Sequence, residues 1–292
     1  MSNFIWDKKR SCLLRIHGSF DSLKSAEKRV AQYIYDNPSE VIKLTINELS
    51  ELCNSSYSTI NRFCKKMGYN GFKDLKNDLV NDVTNKNDIE ITDIAITPDM
   101  TTKIICEKVY DLAFKILEDS LAIVDFSVVD KVVDSMVSAK RIHFIGTGNS
   151  GLSGKYAYSK FFRIGLPCFF ETDSTLRKLL ISLTGENDIV FAISSSGRSE
   201  EILECARIAK KNGATVISLS DFTISPISKI SDLNLYTTPR NVNAFINIDM
   251  PLTIGQVTII DMLYICCCKK MGKKATDTYQ KTRVVADMGK LK

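Results

Sequence analysis

The sequence predicts two domains of different class: a small all-α domain, then a three-layer α/β domain whose parallel sheet carries helices on both faces. Three observations lead there. Apolar residues in the first eighty positions recur at helical spacing, i, i+3 and i+4. Beyond residue 140, short apolar runs of strand length alternate with helical stretches, the order that builds a parallel sheet. Between them, NDVTNKNDIEITDIAITPDM, from Asn81 to Met100, is rich in Asn, Asp and Thr and has no helical period, so it reads as a connection. The expected division is a first domain over 1–80, a linker over 81–98 and a second domain over 99–292. A chain of 292 residues, 44% hydrophobic and 25% charged, has the size and composition for two cores.

In chain order, LKSAEKRVAQYIYDNP places Val30, Tyr33 and Ile34 on one helical face, and Asn37-Pro38 stops the run. TINELSELC follows, with Thr45 and Glu48 spaced to satisfy each other's free backbone amides as a capping box. Its inward face is expected at Ile46, Leu49 and Leu52. Ser56 then caps SYSTINRFCKKMG, which Gly68 closes. Ile60, Phe63, Cys64 and Met67 make its buried stripe, and Ser58, Asn61, Arg62 and Lys65 point outward, with Tyr57 near the entrance. Two short helices joined by a tight turn are what a helix-turn-helix needs.

The first turns of such a second helix enter the major groove of DNA, where amides, hydroxyls and Arg meet base edges. The DNA-binding set expected here is Ser56, Tyr57, Ser58, Thr59, Asn61, Arg62, Lys65 and Lys66, with Lys73 and Lys76 also spaced to reach phosphates. The net charge of +5 agrees, because positive charge gathers at the two ends of the chain around a mildly acidic middle.

From Asp99 to about Ala139 the pattern is again helical. RIHFIG, PCFFE, DIVFAIS and ATVISLS then read as strands, with DLNLYTT as a fifth. The loops after the first and third strands share a composition. IGTGNSG offers Gly146, Gly148 and Ser150, and SSSGRSEE offers Ser194, Ser195, Ser196, Gly197 and Ser199, each directly before a helix. Small hydroxyls, a glycine that admits close backbone approach and a helix N-terminus suit a phosphate monoester. The loops lack both the GK[ST] of a nucleotide P-loop and the full GxGxxG spacing, so a small phosphorylated ligand is expected.

The segment 141–263 resembles an SIS (sugar isomerase) domain, through GTGNS, KFFRIGLP, ISSSGRSEE, AKKNGATVISLSD and SPISKISD. TINELSELCNSSYSTINRFCKKMGYNGFKDLK resembles the helix-turn-helix of RpiR-type bacterial transcription regulators. The resemblance implies a regulator that binds double-stranded operator DNA through the first domain. Its SIS domain would sense a sugar-phosphate effector and form a homodimer or higher homo-oligomer. It implies a ligand set of Gly148, Ser150, Ser194, Ser195, Ser196, Gly197, Ser199 and Glu201, with Ser199 in place of the usual threonine and Glu201 against sugar hydroxyls. Relatives often carry a Ser-Arg pair ahead of the final helix. Here the stretch reads NIDMPLTIGQVTIIDMLY, with Pro251-Leu252, a departure that puts ligand contacts from that segment in doubt.

The alternative is an SIS-class sugar-phosphate isomerase, with Glu201 as base and Asp173 or Glu171 as its partner. Against it, ETDSTLRKLL holds no histidine, and His143 sits inside a strand as a core or sheet-face residue. The chain is therefore expected to be no enzyme, with no catalytic residue and no cofactor. No metal is expected either: the nine cysteines form no CxxC pair, and the chain has two histidines. The run Cys266–Cys268 reads as packing or a subunit interface. With no apolar run long enough to cross a bilayer and charge in MSNFIWDKKR, the expected location is cytoplasmic.

Overall fold

The computed structural model describes residues 12–84, 99–238 and 253–288. The amino-terminal MSNFIWDKKR, linker residues 85–98 and Pro251-Leu252 lie outside the described residues. Residues 12–84 fall in one compact unit, and the helices and strands from 102 onward make the second.

The first unit is helical throughout: α1 (Cys12–Ser19), a 3-10 turn (Phe20–Ser22), α2 (Ser25–Asp36), α3 (Pro38–Val41), α4 (Ile46–Leu52), α5 (Tyr57–Lys66) and α6 (Phe72–Thr84). Pro38 ends α2 by opening α3, at a first-turn position where its missing N–H costs nothing. Thr45 and Glu48 form the capping box, with the Thr45 N–H 2.6 Å from a Glu48 carboxylate oxygen and the Glu48 N–H 3.3 Å from Thr45 Oγ1. Gly68, at φ +85°, closes α5 in the left-handed conformation. Ile60, Phe63, Cys64 and Met67 are all buried. Leu52 departs from expectation and is exposed, because α4 is two turns long and Cys53 takes the inward position after Ile46 and Leu49. Helix α6 runs four residues past Val80, into the segment read as linker.

The core of this unit also holds a cation. Arg15, fully buried, donates to the Asp78 carboxylate, to the Tyr69 hydroxyl and, at 3.3 Å, to the Met67 carbonyl.

The second unit begins with α7 (Thr102–Ile123) and α8 (Phe126–Ser138). Then come β1 (Arg141–Ile145), α9 (Gly148–Arg163), β2 (Cys168–Phe170), α10 (Ser174–Ser182), β3 (Asp188–Ile193) and α11 (Glu200–Lys211). It ends with β4 (Thr215–Asp221), α12 (Pro226–Ile230), β5 (Leu233–Thr237), α13 (Ile254–Met271) and α14 (Lys273–Asp287). The five strands form one parallel sheet in the order β2-β1-β3-β4-β5, in register at Phe144 with Phe191 and Phe191 with Ile217. Alternation along β3 sorts the core. Ile189, Phe191 and Ile193 pack with α8, α9 and α13, while Val190 and Ala192 pack with α11 on the other face. Cys267 lies in the first of these cores, where burial pushes its thiol up to about 12. The expected three-layer α/β domain is the one observed.

This strand order fixes where a ligand goes. The chain reverses its direction of sheet growth between β1 and β3, so the loops that follow them open side by side at the carboxyl edge.

Candidate functional sites

The loop after β1 turns at Gly146, where a Cβ would lie 2.6 Å from the Ser150 carbonyl oxygen; only glycine lets α9 start this close to the strand. Ser150 is buried in the first turn of α9. The loop after β3 is held from three sides. The Ser194 N–H donates to Leu219 O (3.0 Å), the Asp221 N–H to Ser195 O (2.9 Å) and the Ile227 N–H to Gly197 O (3.1 Å). Gly197 itself is left-handed, with φ +62°.

These constraints bring Ser150 and Ser195 together. Their hydroxyl oxygens stand 3.5 Å apart, and the Ser195 N–H points to Ser150 Oγ at 3.4 Å. Ser196 is exposed and accepts the Arg198 N–H at 3.3 Å. Ser199 is half-buried at the N-cap of α11, with no capping bond from its side chain. Gly148 is exposed and left-handed at φ +55°. Ser194 is buried. The amino ends of α9 and α11 thus lie on the same carboxyl edge of the sheet, and a helix amino end presents N–H groups without intrahelical partners and the positive end of its dipole. The two acids in the first turn of α11 are both ion-paired, Glu200 with Arg207 at 2.7 Å and Glu201 with Arg177 at 3.0 Å.

Two residues of this pocket were not anticipated. Arg177, buried on α10, donates to Gly146 O and Thr172 O, both at 2.9 Å, and pairs with Glu201. It ties the loops after β1 and β2 to the helix after β3. In sequence it looks like its exposed neighbours in STLRKLL, so nothing local distinguished it. Gln256, in the first turn of α13, donates from Nε2 to Ser195 Oγ (2.9 Å) and Ser150 Oγ (3.3 Å) and accepts the Ser153 hydroxyl at Oε1 (2.7 Å). One signal did exist: a lone amide in the apolar run of IGQVTIIDML. The segment's departure from the family pattern leaves its contacts open, and Gln256 supplies two, to Ser150 and Ser195.

Glu201 faces Arg177 in this arrangement. His143 is buried against Phe169, ring centroids 5.1 Å apart, and burial, aided by the nearby Arg141, lowers its pKa to about 4. It is therefore neutral near pH 7. Among the described residues, no cluster of three His, Cys, Asp or Glu side chains is placed to hold a metal ion.

In the first unit, Ser56 caps α5 by accepting the Thr59 N–H at 3.3 Å. Tyr57, Ser58, Arg62, Lys65 and Lys66 are exposed on that helix and Asn61 is half-exposed. Thr59 is corrected: it is buried, and its hydroxyl lies 3.0 Å from Ser56 Oγ, so it belongs to the cap and the core. Lys76 is half-buried, and its ammonium donates to Leu44 O at 2.8 Å. Arg29 fixes the turn before α5 through Cys53 O (3.2 Å) and Asn54 O (2.8 Å).

Arg62 and Lys66 have a second task. Glu27, buried on α2, accepts from Arg62 Nε at 2.9 Å, Lys66 Nζ at 3.2 Å and the Lys24 N–H at 3.0 Å. Burial pushes the Glu27 pKa up, but these donors outweigh it and hold the group below the ordinary carboxylate value. Because the folded carboxyl is harder to protonate than the unfolded one, its stabilising contribution is whole above the ordinary carboxylate range. That contribution is lost as pH falls through the depressed value. Glu27→Gln is expected to cost about 1–2 kcal/mol at pH 7, since the exposed ends of both cations are solvent-screened. It should also flatten the acid dependence. Urea midpoints of the full chain at pH 7, 5 and 3 would check this; equal declines in both proteins would mean that other carboxylates carry the acid sensitivity.

Residues 11–86 match the helix-turn-helix domain of the rpiR family, and residues 135–261 match the SIS domain. The chain is similar to the HTH-type transcriptional regulator YbbH of Bacillus subtilis, 33% identical over 92% of this chain and 95% of that one. It is also similar to the HTH-type transcriptional regulator HexR of Pseudomonas aeruginosa, 30% identical over 87% and 88%. Among solved structures, the Vibrio vulnificus NanR protein complexed with ManNAc-6P superposes with a TM-score of 0.61, at 25% identity over 97% of this chain and all of that one. With both domains matched in this order and such relatives along nearly its whole length, the chain belongs to the RpiR family of helix-turn-helix transcriptional regulators with an SIS domain.

Proposed function

We propose that this protein regulates transcription of carbohydrate-metabolism genes by binding operator DNA through residues 1–80 and sensing a phosphorylated sugar through the SIS domain within residues 99–292. The observation that carries the sensing half is the meeting of Ser150 and Ser195 at the point where sheet growth reverses, under the amino ends of α9 and α11. The Vibrio vulnificus NanR protein, solved in complex with ManNAc-6P, supports that ligand class. Gly148, Ser194, Ser196, Gly197 and Ser199 complete the pocket's rim, and Glu201 acts through Arg177.

Tyr57, Ser58, Asn61 and Lys65 are the base- and phosphate-facing residues of α5, with Ser56 setting its start. Arg62 and Lys66 divide their donors between DNA and Glu27. The protein is read as a sensor and not an isomerase, because Glu201 is engaged by a buried cation and His143 is neutral in the sheet. A cytoplasmic place fits the DNA partner, and no helix among the described residues is long and apolar enough to cross a membrane.

Self-association fits the exposed stripe of Tyr110, Phe114 and Leu121 on α7, and a pair of recognition helices would read half-sites about one DNA turn apart. The effector then shifts the equilibrium between DNA-competent and other arrangements by its differential affinity for them. Sedimentation showing a monomer at micromolar concentration would remove the dimer.

A thermal-shift panel of sugar phosphates beside their free sugars tests the sensing half. At a hundredfold excess over Kd the expected stabilisation is about 2.7 kcal/mol, which for a domain of this size is a rise of about 5–10 °C. A rise with one phosphosugar and none with its free sugar supports the reading. No rise with any phosphosugar, or equal rises with free sugars, removes it.

A further inference from the structure

Gln256 holds the two pocket serines in an unusual way. A hydroxyl has one proton to give and two lone pairs to receive with. At Ser150, both receiving positions are taken, one by Gln256 Nε2 at 3.3 Å and one by the Ser195 N–H at 3.4 Å. At Ser195 one is taken, by the same amide nitrogen at 2.9 Å. The amide is itself oriented from behind, since the Ser153 hydroxyl donates to its Oε1 at 2.7 Å. Gln256 and Ser153 are both buried, so water does not compete for these bonds. The helix that carries Gln256 is closely seated as well: a Cβ on Gly255 would stand 3.2 Å from Ser120 Oγ and 3.3 Å from Thr237 Cβ.

With its lone pairs filled, Ser150 can only donate, in this arrangement to Ser195 Oγ at 3.5 Å, which fills the second receiving position of Ser195. Each hydroxyl therefore has only a proton to turn towards an incoming group. We infer that Gln256 is a positioning residue that fixes Ser150 and Ser195 as hydrogen-bond donors, so that the pocket selects the fully ionised phosphate monoester over its protonated form. A dianion presents acceptors only, which matches two hydroxyl protons and the N–H groups of α9 and α11. A monoanion brings one P–O–H that needs an acceptor, and Ser150 has none left.

This inference rests on the phosphate-sensing reading. It goes further by naming the ionisation state that the site takes and the residue that decides it.

The test uses the full chain and methyl phosphate, a monoester whose second pKa is about 6. Affinity is measured by calorimetric titration at pH 5 and pH 7.5. The wild type should bind about tenfold tighter at pH 7.5, following the fraction of dianion. Gln256→Met fills the same space without donating, which returns acceptor capacity to both serines. The variant should bind more weakly at pH 7.5 and lose most of the tenfold pH preference. Ser153→Ala frees the amide to turn over and should lose part of it, which gives a second reading if the methionine variant fails to fold.

The charged groups around the opening, Arg177 on α10, Arg198 on the loop, Glu200 and Glu201 on α11 and Asp221 at the end of β4, are unchanged in these variants, so their own titration cancels in the comparison. A role in packing alone would weaken binding equally at both pH values. An unchanged pH ratio in Gln256→Met and Ser153→Ala therefore overturns the inference while leaving the phosphate site standing. Failure of the wild type to bind methyl phosphate at either pH overturns the site and this inference together.

Discussion

Gly197→Ala is expected to abolish the response to sugar phosphate and to lower the melting temperature of the second unit by about 6–12 °C. Two costs add at this position. The backbone stands at φ +62°, which costs a residue with a Cβ about 1–2 kcal/mol. The new methyl would also lie 2.2 Å from Ser225 Oγ, 2.6 Å from Ser225 Cβ and 2.8 Å from Ile227 Cγ2. Ser225 cannot swing aside, because it is fully buried and caps α12 by accepting the Ser228 N–H at 3.3 Å. The loop must therefore move, which strains the Ile227 N–H bond to Gly197 O and the Gly197 N–H bond to Ser194 O. A total near 3 kcal/mol follows from strain and overpacking together. Ser195 would shift with the loop, away from Ser150 and Gln256.

Gly148→Ala is the matched comparison. Its φ is +55°, but nothing lies within 4 Å of the added carbon, so strain alone applies. Calorimetric melting of both variants, with and without the effector found in the panel, separates the two costs. If Gly197→Ala melts with Gly148→Ala and still responds to the effector, the loop is not the rigid element described here.

How much of this was legible in the sequence follows from how local each cause is. Thr45 and Glu48 are three residues apart and Ser56 meets Thr59 in one turn, so those caps could be read directly. Strands were legible for the same reason: a short unbroken apolar run such as IVFAI needs no partner to be seen. Contacts between distant segments were not. Arg62 reads as an outward cation on α5, yet its Nε is bound to Glu27, thirty-five positions earlier, and only the packing of α5 on α2 reveals it. Thr59 counts among the expected DNA-binding residues, but it is buried and its hydroxyl lies 3.0 Å from Ser56 Oγ.

In the pocket, composition identified the two loops, and the strand order explains why they meet. Which serines would touch depended on Gln256, which stands 106 positions from Ser150 and 61 from Ser195. Polar residues that complete a site from a distant helix carry no periodic signature of their own. They are visible only as an exception to an apolar pattern.

Arg15→Met is expected to weaken the DNA-binding unit by about 3 kcal/mol while leaving sugar-phosphate binding intact. The guanidinium is fully buried, its centre 4.3 Å from the middle of the Tyr69 ring, and it joins α1 to Asp78 on α6 and to Met67 at the end of α5. Removing one member of a buried ion pair usually costs about 3–5 kcal/mol, because the other charge stays behind unpaired. Here the lower end applies. Asp78 keeps the Tyr69 hydroxyl at 2.6 Å and its side chain is 26% exposed, so water can reach it. A domain of this size is stable by only about 4–11 kcal/mol, so the loss would release the end of α5 that Met67 closes. Hydrogen exchange of the full chain reads this element by element: amides of α1, α5 and α6 should exchange faster, and those of β1, β3 and β4 should not. Arg15→Met combined with Asp78→Leu should regain part of the protection, since no charge is then left unpaired. If the single variant keeps wild-type protection in α1 and α6, Arg15 is not what joins them. If the double variant is worse than the single, the buried cation contributes through its contacts to Tyr69 and Met67, and the pairing with Asp78 is secondary.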